Sequence, residues 1–521
     1  MHPALTIPEL CFAISTAGVL HKADIYSLTL VSRFWNDIAE VVLWESLDSL
    51  LPLMCLLPND AWANNHQHPH FSLQRPLHPE DWDIFSTRAN LVKRIYLRFD
   101  EISLRDQGWI VQSPPAAPML PQLHTLHVNG CANPEISANF LSLLFSPTTT
   151  MIKLQDISHW RILDWRPIFS QCPRVDHVAV DNWLLGKGNG STHTVFCMSL
   201  VKALTTCEHL TCVRLSIDFR YGHDFVLALA ACPALDDLIF ALQGEEEDLP
   251  PTTLNIPYPS FPSLRSLYCF FGPMSLIHSI IASHHARPLT AIHVEGPLYT
   301  QGALVELLVA VKEHCDQGTL AEFHLEGECM AVNLRKTVTL RLDVLAPLAA
   351  FRALSHVTLL GMTDIELDSA ACEEMAGWWP CLMEFNVDQT TTPVKTHCAL
   401  SAVASFARLC PQLARLHLPH IDASEVPDVQ DGDAQPVKPS GKLRPLFELV
   451  LDDAPIADPE KVAKYLLHIF PAIKSAEYNA GGTADGWPEN MGTYRDRVSR
   501  QRTEAWKQVN KIIQCSRYPQ Y

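Results

Sequence analysis

His66, His68 and His70 alternate over five residues, a spacing that sets three imidazoles along one side of an extended chain. Imidazole is a ready zinc ligand, but a structural site needs about four fixed ligands. No cysteine or carboxylate cluster stands beside these three, and with Asn64, Asn65 and several prolines around them the segment reads as an exposed loop. A second candidate, Gly186-Lys187-Gly188-Asn189-Gly190-Ser191-Thr192, has the composition of a phosphate-binding loop. It lacks the G-x-x-x-x-G-K-[ST] order and the strand-to-helix frame that aims backbone N–H groups at a phosphate, so it also reads as a loop. There is no G-x-S-x-G, no H-E-x-x-H and no paired C-x-x-C. The residues therefore nominate no catalytic group, no cofactor site and no metal ligands.

The remaining candidates point to surface and core roles. His127, His293, His324 and His417 occupy alternating positions in apolar runs, which places them on the solvent side of an inner sheet. The 16 cysteines are spread over the whole chain, several in apolar settings such as Tyr268-Cys269-Phe270 and Ala231-Cys232-Pro233. Buried, reduced thiols in a reducing compartment are the expectation. No secretory signal and no continuous apolar stretch long enough to span a membrane stands out, so the cytoplasm or nucleus is expected. A net charge of −18 argues against nonspecific nucleic-acid or anionic-membrane binding as the main task. With 47% apolar and 18% charged residues in 521, the chain is globular and longer than one core ordinarily supports.

A loose repeat organises most of that length. A Pro or Cys-Pro is followed by L-x-x-L-x-L or a variant: Pro121 with Leu123, Leu126 and Val128; Cys172-Pro173 with Val175, Val178 and Val180. Further copies run through Leu210, Leu235 and Leu264, then begin at Leu289, Leu320, Leu354, Leu382, Leu413, Phe447 and Ile473. From Leu91 onward the intervals are roughly 24 to 35 residues, close to the period of leucine-rich repeats. In such a unit the last two leucines alternate along a strand into the core, and the first turns in at the preceding corner. Stretches such as Phe225–Ala230, Leu304–Val309, Ser401–Leu409 and Val462–Phe470 read as the outer helices. Insertions near 243–262 and 423–445 break the period, and a basic helix over Tyr494–Ile513 carries an apolar stripe suited to capping the last repeat.

The first fifty residues do not repeat. Pro8-Glu9-Leu10 opens a short amphipathic helix for which Thr6 can serve as N-cap, and Leu10, Ala13, Ile14 and Ala17 share one face. Asp24 is placed to cap a second helix carrying Leu28 and Val31, followed by Ser32-Arg33-Phe34-Trp35 and Leu43-Trp44. Three short helices bury little by themselves, a physical reason to expect docking onto a partner. This order of residues resembles the F-box, and the stretch after Leu43 is most similar to F-box proteins of mushroom-forming fungi. The resemblance covers about a tenth of the chain. It implies a substrate-receptor subunit of a cullin–RING (SCF-type) ubiquitin ligase, itself non-catalytic. Pro8, Leu10, Ile14, Leu28, Val31 and Trp35 match the positions that face a Skp-type adaptor, and through it a cullin.

The expected architecture is α/β. A three-helix F-box-like module (1–57) leads through a loop and linker helix (58–90) into an irregular leucine-rich-repeat horseshoe (91–480), and a linker and basic helix (481–521) form the cap. An unidentified protein target is the expected partner of the repeats, with no nucleic acid and no membrane. The alternative is a leucine-rich-repeat scaffold or regulatory binding protein with no ligase role, its N-terminal helices serving only to cap the first repeat.

Overall fold

The computed structural model describes residues 7–17, 19–64, 71–98, 102–115, 118–129, 138–155, 165–181, 199–218, 222–243, 255–296, 300–327, 338–362, 364–389, 398–419, 421–427, 448–452, 454–471, 473–479 and 492–517. His66, His68, His70, the Gly186–Thr192 loop and most of both insertions lie outside the described residues. The chain divides into two compact units, Met1–Leu249 and Pro250–Tyr521.

The first unit opens with α1 (Pro8–Thr16), α2 (Lys22–Thr29) and α3 (Arg33–Glu45). Pro8 stands in the first turn of α1, where its missing N–H leaves no bond unmade. The N-cap is Ile7, which supplies no side-chain bond, and Thr6 lies outside the described residues. Asp24 acts one turn later than its position suggests. The N-cap of α2 is His21, and Asp24 inside the helix accepts the His21 backbone N–H at 3.0 Å. Ser32 caps α3 by accepting the Trp35 N–H at 3.3 Å.

Helix α3 runs directly into β1 (Ser46–Leu47), the edge of a parallel sheet continued by β2 (Arg94–Arg98), β3 (Thr125–Asn129), β4 (Met151–Gln155), β5 (His177–Asp181), β6 (Cys212–Asp218) and β7 (Asp237–Gln243). Each strand pairs with the next in the chain, the order a coiled solenoid produces when every turn stacks only on its neighbours. The register aligns Ile95, Leu126, Ile152, Val178, Val213 and Leu238 in one row, each at most 2% exposed. Burying each such side chain contributes about 1.5–3 kcal/mol. The corner residue of the first of these repeats is Val92, fully buried, and Leu91 is only half-buried.

One repeat of this unit has no apolar residue at its corner. Ahead of β4 the position is filled by Thr149, fully buried, whose hydroxyl donates to the Leu123 carbonyl at 3.2 Å. Thr148 reaches the same carbonyl at 2.9 Å and Ser146 donates to that of Pro121 at 2.8 Å. Hydroxyls here stitch consecutive repeats where a leucine would pack.

The second unit repeats the logic with β8 (Ser266–Phe270), β9 (Ala291–Gly296), β10 (Glu322–Gly327), β11 (His356–Met362), β12 (Glu384–Gln389), β13 (Arg415–Pro419), β14 (Glu448–Asp452) and β15 (Ala476–Asn479), again parallel and in chain order. Its inner row is Leu267, Ile292, Phe323, Val357, Phe385, Leu416, Leu449 and Ala476, none more than 1% exposed. Helices Met274–Ala282, Gln301–His314, Ser369–Trp378, Leu400–Leu409 and Pro459–Ile469 return the chain between strands. The Cys-Pro stops pack inward as expected: burial pushes the Cys172 and Cys410 thiols up to about 12 and Cys232 to about 11. All the described cysteines are free thiols.

Two local details hold the strands in place. Gly361 in β11 has φ of +72°, and a β-carbon there would lie 1.8 Å from the Gly327 carbonyl oxygen of β10. Only glycine allows that approach. Ahead of β9, Arg287 is fully buried and donates to the carbonyls of Phe261 (2.8 Å), Ser260 (3.2 Å) and Ile280 (2.9 Å) and to the Ser283 hydroxyl (2.9 Å). It ties the turn leading into β8 to the end of the helix that follows β8.

The terminal helix spans Gly492–Arg517 and covers the last strand. Trp506, Val509 and Ile513 are buried, and the Trp506 indole N–H donates to the Ala454 carbonyl at 3.0 Å. Asn510 accepts the Ala476 N–H at 2.7 Å and donates to the Ala476 carbonyl at 2.5 Å, so a side-chain amide takes the place of the next strand.

Candidate functional site

Two surfaces stand apart from the core. The first lies on α1, α2 and the turn after α2. Ile7, Leu10, Phe12, Ile14, Val19, Tyr26, Leu30 and Val31 are all exposed large apolar side chains. Elsewhere among the described residues such side chains are scattered, so this segment concentrates apolar surface that the chain itself leaves uncovered.

The six adaptor-matching residues divide on this surface. Pro8, Leu10 (45% exposed), Ile14 (43%) and Val31 (57%) face outward, and Leu28 is half-buried. Trp35 is only 5% exposed and sits with Ala39 on the inner side of α3. Trp35 therefore positions the helices, and four of the other five are placed to be touched. Helix α3 is tied to the chain that follows it, with Glu40 paired to Arg88 and Glu45 3.6 Å from Arg94 on β2, and α2 is tied through Lys22 to Asp48 just after β1.

The second surface is the outward side of the repeat strands. In the first unit Tyr96 and His127 are register partners with rings 4.1 Å apart, and Asn129 donates to the Tyr96 hydroxyl at 3.2 Å. Burial pulls His127 below the usual imidazole range. In the second unit the corresponding row runs Tyr268, His293, His324, Thr358, Asn386 and His417. The His293 and His324 rings stack 3.7 Å apart, and Tyr268 and Phe270 each lie 5.5 Å from His293. Burial, and then the neighbouring His324, pulls His293 down to about 4. His324 Nε2 is 3.3 Å from the Glu326 carboxylate. Farther along, Arg415 lies between Glu384 (3.4 Å) and Glu448 (3.1 Å).

His127, His293 and His324 thus take the outward positions expected of them. His417 differs: it points outward in the register but keeps only 9% exposure, with Nδ1 2.7 Å from the Asn386 side-chain oxygen. Among the described residues no group of three or more histidine, cysteine, aspartate or glutamate side chains is placed to hold a metal ion. No helix among them is long and apolar enough to cross a membrane. Sequence reasoning named the histidines singly and missed that β8 to β10 bring four rings together. The signal was available in Tyr268, His293 and His324, which fall at the same position of three successive repeats.

Sequential parallel strands, an inner apolar row and returning helices define a leucine-rich-repeat solenoid. No family model matches the chain, and no curated protein matches it. Among solved structures it is similar to an internalin from Listeria monocytogenes, at 9% identity over 80% of this chain and 90% of that one, TM-score 0.32. It is also similar to the protein in the TLR13–ssRNA13 complex (15%, 80% of this chain and 57% of that one, TM-score 0.39). A third likeness is to the Drosophila Toll–Spatzle complex (13%, 78% and 54%, TM-score 0.37). The assignment of the fold rests on the strand order and the repeat positions of the chain itself.

Proposed function

We propose that this protein is the substrate-receptor subunit of a cullin–RING (SCF-type) ubiquitin ligase. Its N-terminal helices seat a Skp-type adaptor, which links to a cullin, and the outward repeat face holds a target protein. The observation that carries this reading is the apolar surface on α1, α2 and the turn after α2, where Leu10, Ile14 and Val31 stand exposed in the order of an F-box. An unpartnered apolar patch of this kind marks an interaction site. The chain would contribute proximity to a reaction performed by other subunits, holding the target within reach of the charged ubiquitin carrier. Capture of a purified Skp-type adaptor by the full-length protein tests the reading. Adaptor binding that is lost in Leu10→Asp with Val31→Asp supports it, and binding that is absent or unaltered removes it.

A second reading, a repeat scaffold without a ligase role, draws on a different observation. Helix α3 continues into β1, which pairs with β2 at Ser46–Arg94 and Leu47–Ile95, so the helices also cap the solenoid's first edge. Under this reading deletion of residues 1–55 unfolds the first repeats and the adaptor does not bind.

A further inference from the structure

The apolar patch accounts for the N-terminal helices but leaves the chemistry of the repeat face unspent. That face is most distinctive on β8, β9 and β10. Its nine outward residues are Ser266, Tyr268 and Phe270, then Ala291, His293 and Glu295, then Glu322, His324 and Glu326. Four of them carry rings that form one shelf, with the 5.5, 5.5 and 3.7 Å spacings given above. Three are carboxylates and none is lysine or arginine.

We propose that this face is a docking surface for an extended segment of a protein target rich in arginine and lysine. The inference deepens the proposed target-binding role of the repeats and rests on it. Aromatic faces attract cations through their quadrupole, and the carboxylates along the rim add direct charge attraction. Glu322 is exposed, and His324 holds the Glu326 carboxylate in place beside the shelf. Because His293 stays neutral well below physiological pH, its ring presents no charge that would repel a cation. The same sheet shows the arrangement completed within the chain: on β12 to β14 an arginine, Arg415, sits between Glu384 and Glu448. An anionic partner would meet three carboxylates with no cation among these nine residues. A second copy of this chain, at net charge −18, would bring like charge to like.

The test uses the full-length protein and a fluorescein-labelled peptide of alternating Gly-Arg, with its Gly-Glu counterpart, followed by anisotropy at physiological ionic strength. The Gly-Arg peptide is expected to bind and the Gly-Glu peptide not to. Glu322→Gln with Glu326→Gln should weaken binding about tenfold. Glu373→Gln with Glu374→Gln removes the same charge from an exposed helix of the same unit and should change affinity by less than about twofold. Equal losses in both double variants would mean general electrostatics and overturn the proposal, as would failure of the Gly-Arg peptide or equal binding of the Gly-Glu peptide. Adaptor capture measured on the same samples separates the two readings. Capture without Gly-Arg binding sinks this inference alone, and Gly-Arg binding without capture supports it while removing the ligase role.

Discussion

Replacing Arg287 by methionine is expected to lower the stability of the second unit by about 3 kcal/mol, the balance of hydrogen bonds lost and a buried charge removed. Burial pulls the guanidinium from 12.5 to about 10, which at ~1.4 kcal/mol per pH unit corresponds to about 3 kcal/mol of lost hydration. Against that, the hydrogens on Nη1 and Nη2 serve the Phe261, Ser260 and Ile280 carbonyls and the Ser283 hydroxyl. Three committed hydrogens from a charged donor contribute about 6 kcal/mol at ~2 kcal/mol each. Methionine keeps the apolar stem, loses the charge and leaves the Ser260 carbonyl without this donor, so the net loss is near the difference. Arg287→Lys should do no better, since one ammonium cannot span acceptors that a planar fork reaches. Urea unfolding followed by tryptophan fluorescence measures both. A loss below about 1 kcal/mol for methionine, or a lysine variant close to the native protein, would refute the argument that the fork holds β8 to β9.

Two further outcomes follow from local geometry and charge. Gly361→Ala should cost about 2–4 kcal/mol, because its β-carbon meets the Gly327 carbonyl in a left-handed backbone; thermal unfolding checks it, and an unchanged midpoint contradicts the close approach. His293 has a folded-state value of about 4 against 6.5 ordinarily. Between those values the unfolded chain takes up a proton that the folded chain does not, so stability falls as pH drops through that window. Screening of the partly exposed ring limits the loss to about 2 kcal/mol, and His293→Phe should remove it when urea midpoints near pH 7 and about pH 4.5 are compared.

The repeat was legible because each inner leucine does the same job at the same place. Leu123, Leu210, Leu235, Leu264, Leu289, Leu320, Leu354 and Leu382 are all fully buried at the corners where the pattern put them. The repeat before β4 escaped the pattern because Thr149 satisfies backbone carbonyls at that corner instead of packing an apolar side chain. The terminal helix was legible from Trp506, Val509 and Ile513, but not the substitution of Asn510 for a strand, which depends on where the edge falls. At the N-terminal surface the helical spacing marked Leu10, Ile14 and Val31 without saying which side faced the solenoid. Trp35 lies on the inward side because α3 must feed β1, a constraint that arises only when the strand pairs. The ring shelf was harder to read for a related reason: Tyr268, His293 and His324 hold equivalent repeat positions but lie far apart in sequence and meet only through the parallel register.

Titration calorimetry of the full-length protein with a purified Skp-type adaptor tests the central claim most directly. Leu10 and Val31 are 45% and 57% exposed, so aspartate at both should leave the unfolding midpoint unchanged. Removing their burial and forcing two carboxylates into the interface should cost at least about 3 kcal/mol, or roughly a hundredfold in affinity. Saturable binding by the native protein with that loss in the double variant is the predicted result. No binding by the native protein, or equal binding by the variant, would contradict it.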